Sequence, residues 1–255
     1  MAVVTPRKYC YVDFTTTPPV PLFAQTTNAV ATAADNQIDH FTVKGQYFEH
    51  IQTGANAAIQ YITAAAGWTI PCDGTDGDAV EITNGVMATR DLSFTVGTDP
   101  AFFVAAGFLV DTIAAQDVYG VGFRKQGSYV DITTPSLAAS VYDDKALIYV
   151  RDASGDWATT TSIGGSDTTT DITSTACANA TYCYLKVLVS AAGVVTYLIG
   201  QSLTSFAAAK AAAAAPAGAV AMTVTSAIIL TPYFPLVSTG TLCDVDLIEW
   251  EVGHQ

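Results

Sequence analysis

Short runs of apolar residues, many alternating with polar ones and bounded by Gly, Pro, Asn or Asp, fill the chain from Ile38 onward. In residues 92–96 the alternation places Leu92, Phe94 and Val96 on one face, while residues 102–110 are apolar on both faces, as in a strand between two layers. So many strand-sized runs at close spacing predict an all-β sandwich or barrel. The other runs are 40–45, 47–51, 68–71, 79–83, 119–124, 129–132, 147–151, 182–189, 194–199, 220–230 and 242–252, and residues 57–63 fit either a strand or a helical turn.

Two local signals refine this prediction. The dipeptide Asn84-Gly85 follows a strand-like run and predicts a hairpin turn. Residues 206–215 are almost pure Ala around Lys210 and are followed by Pro216, which predicts one short Ala-rich helix. A helix of about ten residues is marginal alone, so we expect it to lean on the sandwich. It would be a lid over one sandwich edge or a contact at a subunit interface.

The N-terminal part has a different texture. Residues 15–21 read Thr-Thr-Thr-Pro-Pro-Val-Pro, which fits neither a helix nor a central strand. We therefore predict an extended N-terminal arm over residues 1–37, containing one short strand near residues 9–14, and a β-sandwich over residues 38–255. The arm would lie on another surface, or it would be a frayed terminus.

The composition excludes several classes of protein. Lys and Arg number 10 against 23 Asp and Glu, a net charge of −13, charged residues make up 13%, and the mean hydropathy is +0.34. A disordered chain is less apolar, and proteins that bind nucleic acid or anionic membranes carry the opposite charge. Pro and Gly interrupt the nearly uncharged stretch 211–242, and the N-terminus lacks a signal-peptide pattern. We expect no membrane anchor and no secretion by that route.

The cysteines do not form a recognisable framework. Five are scattered along the chain, and there is no C-x-x-C pair. We predict buried, reduced thiols on strands and no zinc site, in a protein made in a cytoplasm. They are Cys10, Cys72, Cys177, Cys183 and Cys243.

One hairpin carries a family resemblance. Residues 184–200 contain Leu-Lys-Val followed by a small-residue turn and Gly-Val-Val-Thr-Tyr-Leu-Ile-Gly. This resembles the hairpin of laminin-G-like and concanavalin-like jelly rolls, although the Asn that usually precedes the last Gly is absent. With residues 120–125, 231–235 and 247–253, the order resembles capsid decoration (cement) proteins of tailed bacteriophages over residues 119–253. The fold implied is a jelly-roll β-sandwich.

The resemblance implies a structural virion protein on the capsid surface, made in the host cytoplasm. Such a protein would bind the major capsid protein as a homo-oligomer, with a trimer favoured, and its arm would clamp neighbouring subunits. The alternative is a glycan-binding module of a phage fibre or capsid surface, and a glycosidase is a less favoured alternative. No cofactor, nucleic acid or membrane partner is implied.

Two acidic motifs are the candidate chemical sites. Asp244, Asp246 and Glu249 resemble the E-x-D-x-x-E motif of laminarinase-type glycosidases, where carboxylates act as nucleophile and acid/base. Here Asp244 stands in place of the nucleophilic Glu, and the motif lies at the end of the chain. We interpret it as an exposed edge strand whose acids deter edge pairing, and we predict that the protein is not an enzyme.

The other acidic motif is residues 73–78 with Glu81, where closely spaced oxygens suit Ca²⁺. The spacing is not that of an EF-hand, and a solvated acidic turn is the favoured interpretation. Asp167 with Asp171 is a weaker case. His40 and His50 lie on strand-like runs and His254 lies in the terminal tail, so no catalytic, cofactor-binding or metal-binding residue is assigned.

Overall fold

The structure is a computed structural model that describes residues 8–15, 20–21, 37–43, 46–53, 60–61, 66–71, 76–84, 92–113, 118–127, 142–151, 154–172, 176–219, 222–239 and 244–255. The strands are β1 (Tyr9–Asp13), β2 (Val20–Pro21), β3 (Gln37–Val43), β4 (Gln46–Thr53), β5 (Gln60–Tyr61), β6 (Trp68–Pro71), β7 (Asp76–Thr83), β8 (Phe94–Thr95), β9 (Phe102–Val110), β10 (Val118–Lys125), β11 (Lys145–Val150), β12 (Trp157–Ile163), β13 (Ser166–Ile172), β14 (Thr181–Val189), β15 (Val194–Ser202), β16 (Met222–Thr223), β17 (Ile229–Thr239) and β18 (Asp244–His254). Among these described residues there is one helix, α1 (Phe206–Ala211), between β15 and β16.

The strands form two antiparallel sheets. The first has the order β16-β15-β14-β9-β18-β6-β5, with β1 also paired to β18. The second has the order β13-β12-β11-β10-β17-β7-β4-β3-β2, with β8 also paired to β17. Many sequence neighbours lie in different sheets, so the chain crosses repeatedly between them. The predicted all-β jelly-roll sandwich with one short helix is confirmed.

The main hydrophobic core lies between the two sheets. Alternation along β9 turns Phe102, Val104, Ala106, Phe108 and Val110 inward. Opposite them are Tyr119, Val121 and Phe123 of β10. The Phe94 ring stacks on Phe102 with centroids 4.7 Å apart, and Phe123 meets Phe102 edge-on at 5.1 Å. The predicted common face of Leu92, Phe94 and Val96 is confirmed, because all three are buried.

Helix α1 covers the part of the outer face of the first sheet that is formed by β9, β14 and β15. Ser205 caps it by accepting a 3.2 Å hydrogen bond from the Ala208 amide, and Ala209 is buried. Gly107 of β9 and Gly200 of β15 allow this close approach, because a Cβ would overlap the Phe206 ring at Gly107 and the Ala209 carbonyl oxygen at Gly200. The helix therefore lies on a sheet face and not over an edge. It ends before the predicted residue 215, because Ala214 turns back to form a β-bridge with Ile199.

Part of the outer face of the second sheet, over β7, β10, β11 and β17, is also buried. Glu81 of β7 accepts 2.7 Å hydrogen bonds from Arg124 Nε and from the Tyr142 hydroxyl. The Arg124 guanidinium lies 4.6 Å from the centroid of the Tyr142 ring. Tyr149 and Tyr233 add further buried rings to this face. A polar network is thus sealed on the side of the second sheet that faces away from the main core.

The first strand belongs to the sandwich. β1 pairs with β18, with Tyr9 opposite Gly253 and Asp13 opposite Glu249. Cys10, Val12 and Phe14 enter the main core, and β2 pairs with β3. An arm separate from the sandwich therefore does not describe residues 9–14, because their alternate side chains complete the core. Residues 1–7, 16–19 and 22–36 of the predicted arm lie outside the described residues.

The hairpin predicted at Asn84-Gly85 is wrong. Both edges of β7 are taken, by β4 on one side and β17 on the other, so β7 has no free edge for a following strand. Asn84 instead joins the two sheets, because its Oδ1 accepts a hydrogen bond from Trp250 Nε1 and its Nδ2 donates to the Tyr47 carbonyl at 3.1 Å. Gly85 and the predicted strand 129–132 lie outside the described residues.

Within the described chain, no helix has the length and apolar character of a membrane span.

Candidate functional site

The candidate site lies on the outer face of the first sheet, where β1 runs beside β18. A register shift between Leu247 and Glu249 turns Glu249 and Glu251 outward while Trp250 and Val252 stay in the core. The same alternation in β1 buries Cys10 and Val12 and leaves Tyr9 and Tyr11 outside, 54% and 43% exposed. Two tyrosines and two carboxylates therefore share one face.

The hydrogen bonds at this face run diagonally across the strand pair. Tyr11 is the register partner of Glu251, yet its hydroxyl donates to Glu249 Oε2 at 3.2 Å. Tyr9 lies opposite Gly253, and its hydroxyl donates to Glu251 Oε1 at 3.0 Å. A Cβ at Gly253 would lie 2.7 Å from the Tyr9 ring, so this glycine lets the ring lie close to the sheet. Each carboxylate thus fixes the orientation of one exposed ring.

Two lysines complete the site. Lys210 of α1 forms an ion pair with Glu249 Oε1. Lys186 of β14 lies over the ring of Phe103, with Nζ 3.7 Å from the centroid. Burial lowers the pKa of Lys186, and the neighbouring Glu251 carboxylate opposes that change. We call the set Tyr9, Tyr11, Lys186, Lys210, Glu249 and Glu251 the tyrosine–glutamate patch.

The patch is close to electrically neutral. Its two carboxylates are matched by two ammonium groups. Outside the patch, the nearby Asp13 carboxylate accepts hydrogen bonds from the Thr15 amide at 2.9 Å and hydroxyl at 2.6 Å and keeps its negative charge. Burial, with the Glu249 carboxylate, raises the pKa of Tyr11 to about 12. Burial and Glu251 raise the pKa of Tyr9. Both hydroxyls are therefore protonated donors at neutral pH.

The glycosidase-like motif is divided by the structure. Asp246 is buried, accepting hydrogen bonds from Thr69 Oγ1 at 2.6 Å and from the Ala66 amide at 3.1 Å. Glu249 belongs to the tyrosine–glutamate patch, and the side chain of Asp244 lies outside the described residues. The predicted exposed edge strand is wrong, because β18 is paired with β9 along one edge and with β6 and then β1 along the other.

The predicted acidic turn does not cover residues 76–78, which begin strand β7. Glu81 is held by Arg124 and Tyr142. Asp167 pairs with Lys145 at 3.3 Å, and Asp171 pairs with Arg151. Among the described residues, no group of three or more His, Cys, Asp or Glu is placed to hold a metal ion. Residues 72–75 and the side chains of residues 76–78 lie outside that part of the chain.

The three described cysteines, Cys10, Cys177 and Cys183, are free and buried. Cys10 and Cys183 lie on strands as predicted, but Cys177 precedes β14 in a turn segment. His254 is not in a tail, because β18 continues to it and its ring packs against Phe94 with centroids 5.4 Å apart. Cys72 and Cys243, and the side chains of His40 and His50, lie outside the described residues.

The tyrosine–glutamate patch is not evident from the sequence alone. Its signal was the order Tyr-Cys-Tyr-Val at residues 9–12, in which aromatic residues alternate with small or aliphatic ones. That alternation shows that the tyrosines share a face, but it does not identify β18 as the neighbouring strand. The partners Glu249 and Glu251 are about 240 residues away.

No protein-family model and no curated protein matches the chain. A crystal structure of a protein of unknown function from Shewanella oneidensis MR-1 has 11% identity and a TM-score of 0.49, over 100% of this chain and 90% of that one. Peanut lectin with a nine-residue peptide has 7% identity and a TM-score of 0.47, over 96% and 97% of the two chains. The carbohydrate-binding module CBM66 from Bacillus subtilis has 8% identity and a TM-score of 0.42, over 78% and 94%. Likeness of this degree carries no argument about function.

Proposed function

We propose that the protein is a glycan-binding module and that the tyrosine–glutamate patch is its binding surface. The observation that carries this proposal is the pair of exposed rings, Tyr9 and Tyr11, each held by a carboxylate on the neighbouring strand. Apart from Lys210 on α1, the groups of the patch lie on the paired strands β1, β18, β9 and β14, so they keep a fixed spacing. That rigidity reduces the entropy lost when a ligand binds.

The chemistry of the patch suits a sugar. A tyrosine ring offers a flat apolar surface to the C–H face of a pyranose, and its hydroxyl gives a polar edge. A carboxylate accepts up to about four hydrogen bonds, so the partly exposed Glu251 keeps acceptor capacity for sugar hydroxyls after binding Tyr9, whereas the buried Glu249 holds Tyr11 and Lys210 in place. Lys186 and Lys210 add donors. Rings combined with a few placed polar groups are the usual composition of a small-ligand site.

The charges favour neutral glycans. The lysines balance the glutamates within the patch, and the whole protein carries a charge of −13. A sialylated or uronate-rich glycan would therefore meet no excess of positive charge here, and the field of the protein would repel it at low salt. Binding of neutral hexose chains should depend little on ionic strength.

The test is a glycan array probed with the full chain, followed by calorimetry on the best neutral ligand. Tyr9→Ala and Tyr11→Ala should each weaken binding by about tenfold or more, which corresponds to about 1.4 kcal/mol. Tyr11→Phe keeps the ring and should lose less. Leu203→Ala is the matched control, because Leu203 is an exposed side chain outside the patch. An array without binding, or equal affinities for the alanine variants and the control, would contradict the proposal.

We further propose that this module is displayed on a bacteriophage particle, as a homo-oligomer on the major capsid protein or on a fibre. This proposal rests on the sequence resemblance over residues 119–253. Cryo-electron microscopy of purified virions tests it. Density that bridges capsid subunits supports a decoration role, density on a tail or fibre supports a receptor-binding role, and the absence of the protein from particles contradicts both.

That the protein is not an enzyme remains a prediction. A screen of soluble β-glucans for reducing-end release by the wild-type chain would test it. Hydrolysis that Glu249→Gln abolishes, in a variant that keeps its fold, would overturn this prediction. Absence of hydrolysis together with sugar binding supports a module that only binds.

A further inference from the structure

A pair of buried thiols lies at one end of the sandwich, beside strands β14 and β15. Cys177 and Cys183 place their sulfur atoms 3.7 Å apart. Cys183 lies on β14 and faces the core, whereas Cys177 lies in the turn segment before that strand. Forming a disulfide would require the sulfurs to approach to about 2.05 Å.

The segment that carries Cys177 is held in place by its backbone. The Cys177 amide donates to the Gly155 carbonyl at 2.8 Å, and the Ala180 amide donates to the Asp111 carbonyl at 3.3 Å. Gly155 has a φ of +74°, and a Cβ there would overlap the Cys177 carbonyl oxygen. The turn is therefore anchored on both sides, which keeps the two thiols side by side.

The two sulfurs have different environments. A hydrogen bond from Cys183 lowers the pKa of Cys177, and the Tyr119 hydroxyl, 3.5 Å from its sulfur, acts in the same direction. Burial raises the pKa of Cys183. In a thiol pair of this kind, the more acidic sulfur is the attacking nucleophile and the other completes the disulfide.

A cavity of about 340 Å³ lies beside the pair, lined by Ala176, Ala178, Thr181, Gln201, Ser202 and Leu203. Ala176 and Ala178 flank Cys177 in the chain, and Gln201 is the register partner of Cys183. The cavity thus reaches the immediate neighbours of both sulfurs. The two thiols themselves are almost fully buried and lie behind this lining.

We propose that Cys177 and Cys183 form a redox-active dithiol that is oxidised by low-molecular-weight disulfides entering through this cavity. The Cys177 thiolate attacks one sulfur of the reagent RS–SR, forms a mixed disulfide and releases RS⁻, which takes up the proton that Cys177 lost. Cys183 then loses its proton, attacks the Cys177 sulfur and releases the second RS⁻, which is protonated in turn. The protein gives two electrons and two protons to the reagent, and the products are one protein disulfide and two RSH.

The experiment treats the folded full chain with oxidised glutathione, alkylates the remaining thiols and maps them by peptide mass spectrometry. A Cys72→Ser/Cys243→Ser background removes the two cysteines outside the described residues. Cys10 is the internal control, because it is buried without a thiol partner and burial raises its pKa to about 12. We expect a Cys177–Cys183 disulfide to form at least about tenfold faster than any modification of Cys10.

Single variants separate the two steps. Cys183→Ser should accumulate the mixed disulfide at Cys177, whereas Cys177→Ser should leave Cys183 largely unmodified. Circular dichroism of each variant checks the fold. If a variant fails to fold, the proposal is tested by the rates of Cys177–Cys183 disulfide formation and Cys10 modification in the chain that retains these three cysteines. Persistence of both thiols in the folded wild-type chain, or modification of Cys10 at an equal rate, would overturn the proposal.

Discussion

Arg124 on β10 reaches across β17 to Glu81 on β7, where its Nε donates a 2.7 Å hydrogen bond to the carboxylate. Both side chains are at most 2% exposed. Removing one partner of such a pair leaves an uncompensated charge in a medium that solvates it poorly. We expect Arg124→Met to lower the free energy of unfolding by about 3–5 kcal/mol, measured by urea denaturation.

The exposed pair of Arg151 with Asp171 is the matched control, because its side chains are 42% and 55% exposed. Arg151→Met should change stability by about 0–1 kcal/mol, as solvent screens the interaction. The double variant Arg124→Met/Glu81→Met should recover much of the loss caused by Arg124→Met alone. Equal effects of the two arginine substitutions would contradict the assignment of the buried pair.

The close contact of helix α1 with the first sheet predicts a steric effect. Gly107→Ala and Gly200→Ala would each insert a methyl group into space already taken by the Phe206 ring or the Ala209 carbonyl. Each should cost about 1–3 kcal/mol and increase hydrogen exchange of the α1 amides. Gly127→Ala is the control, because nothing lies within 4 Å of a Cβ at Gly127. Unchanged exchange in α1 after Gly200→Ala would contradict the packing.

The elements predicted correctly from the sequence are those whose local residue pattern is enough to define them. β9 begins and ends where its apolar run does, and the β14–β15 hairpin forms around Gly193. What could not be predicted depends on partners distant in sequence. The sequence groups Glu81 with residues 73–78 as part of a solvated acidic turn or, less favoured, a Ca²⁺ site, because nothing local indicates that Arg124 will lie beside it. The tyrosines of β1 likewise gain their role only from β18.

Because Tyr149 is buried, we expect the protein to lose stability in alkaline solution. Burial raises its pKa from 10.0 to about 12, and its side chain is 1% exposed. Because its folded-state pKa is raised, the stability that it contributes is complete below pH 10 and is lost as pH rises towards 12. Two pKa units correspond to about 3 kcal/mol. Between pH 9 and 12, the free energy of unfolding should fall less steeply with pH for Tyr149→Phe than for wild type. Equal slopes for the two proteins would contradict this prediction.

Loss of the first strand should destabilise the sandwich. Deleting residues 1–15 removes Cys10, Val12 and Phe14 from the core and uncovers the edge of β18 from Glu249 to Gly253. Phe14→Ala alone should cost about 3–5 kcal/mol, because its ring is fully buried and lies 4.3 Å from that of Trp68. The full deletion should lower the melting temperature sharply and promote aggregation through the exposed strand edge, measured by calorimetry and light scattering. Deletion of residues 1–7 alone is the control and should leave the melting temperature close to that of wild type. If the chain without residues 1–15 melts like the control, β1 is dispensable and residues 1–37 behave as a separate arm after all.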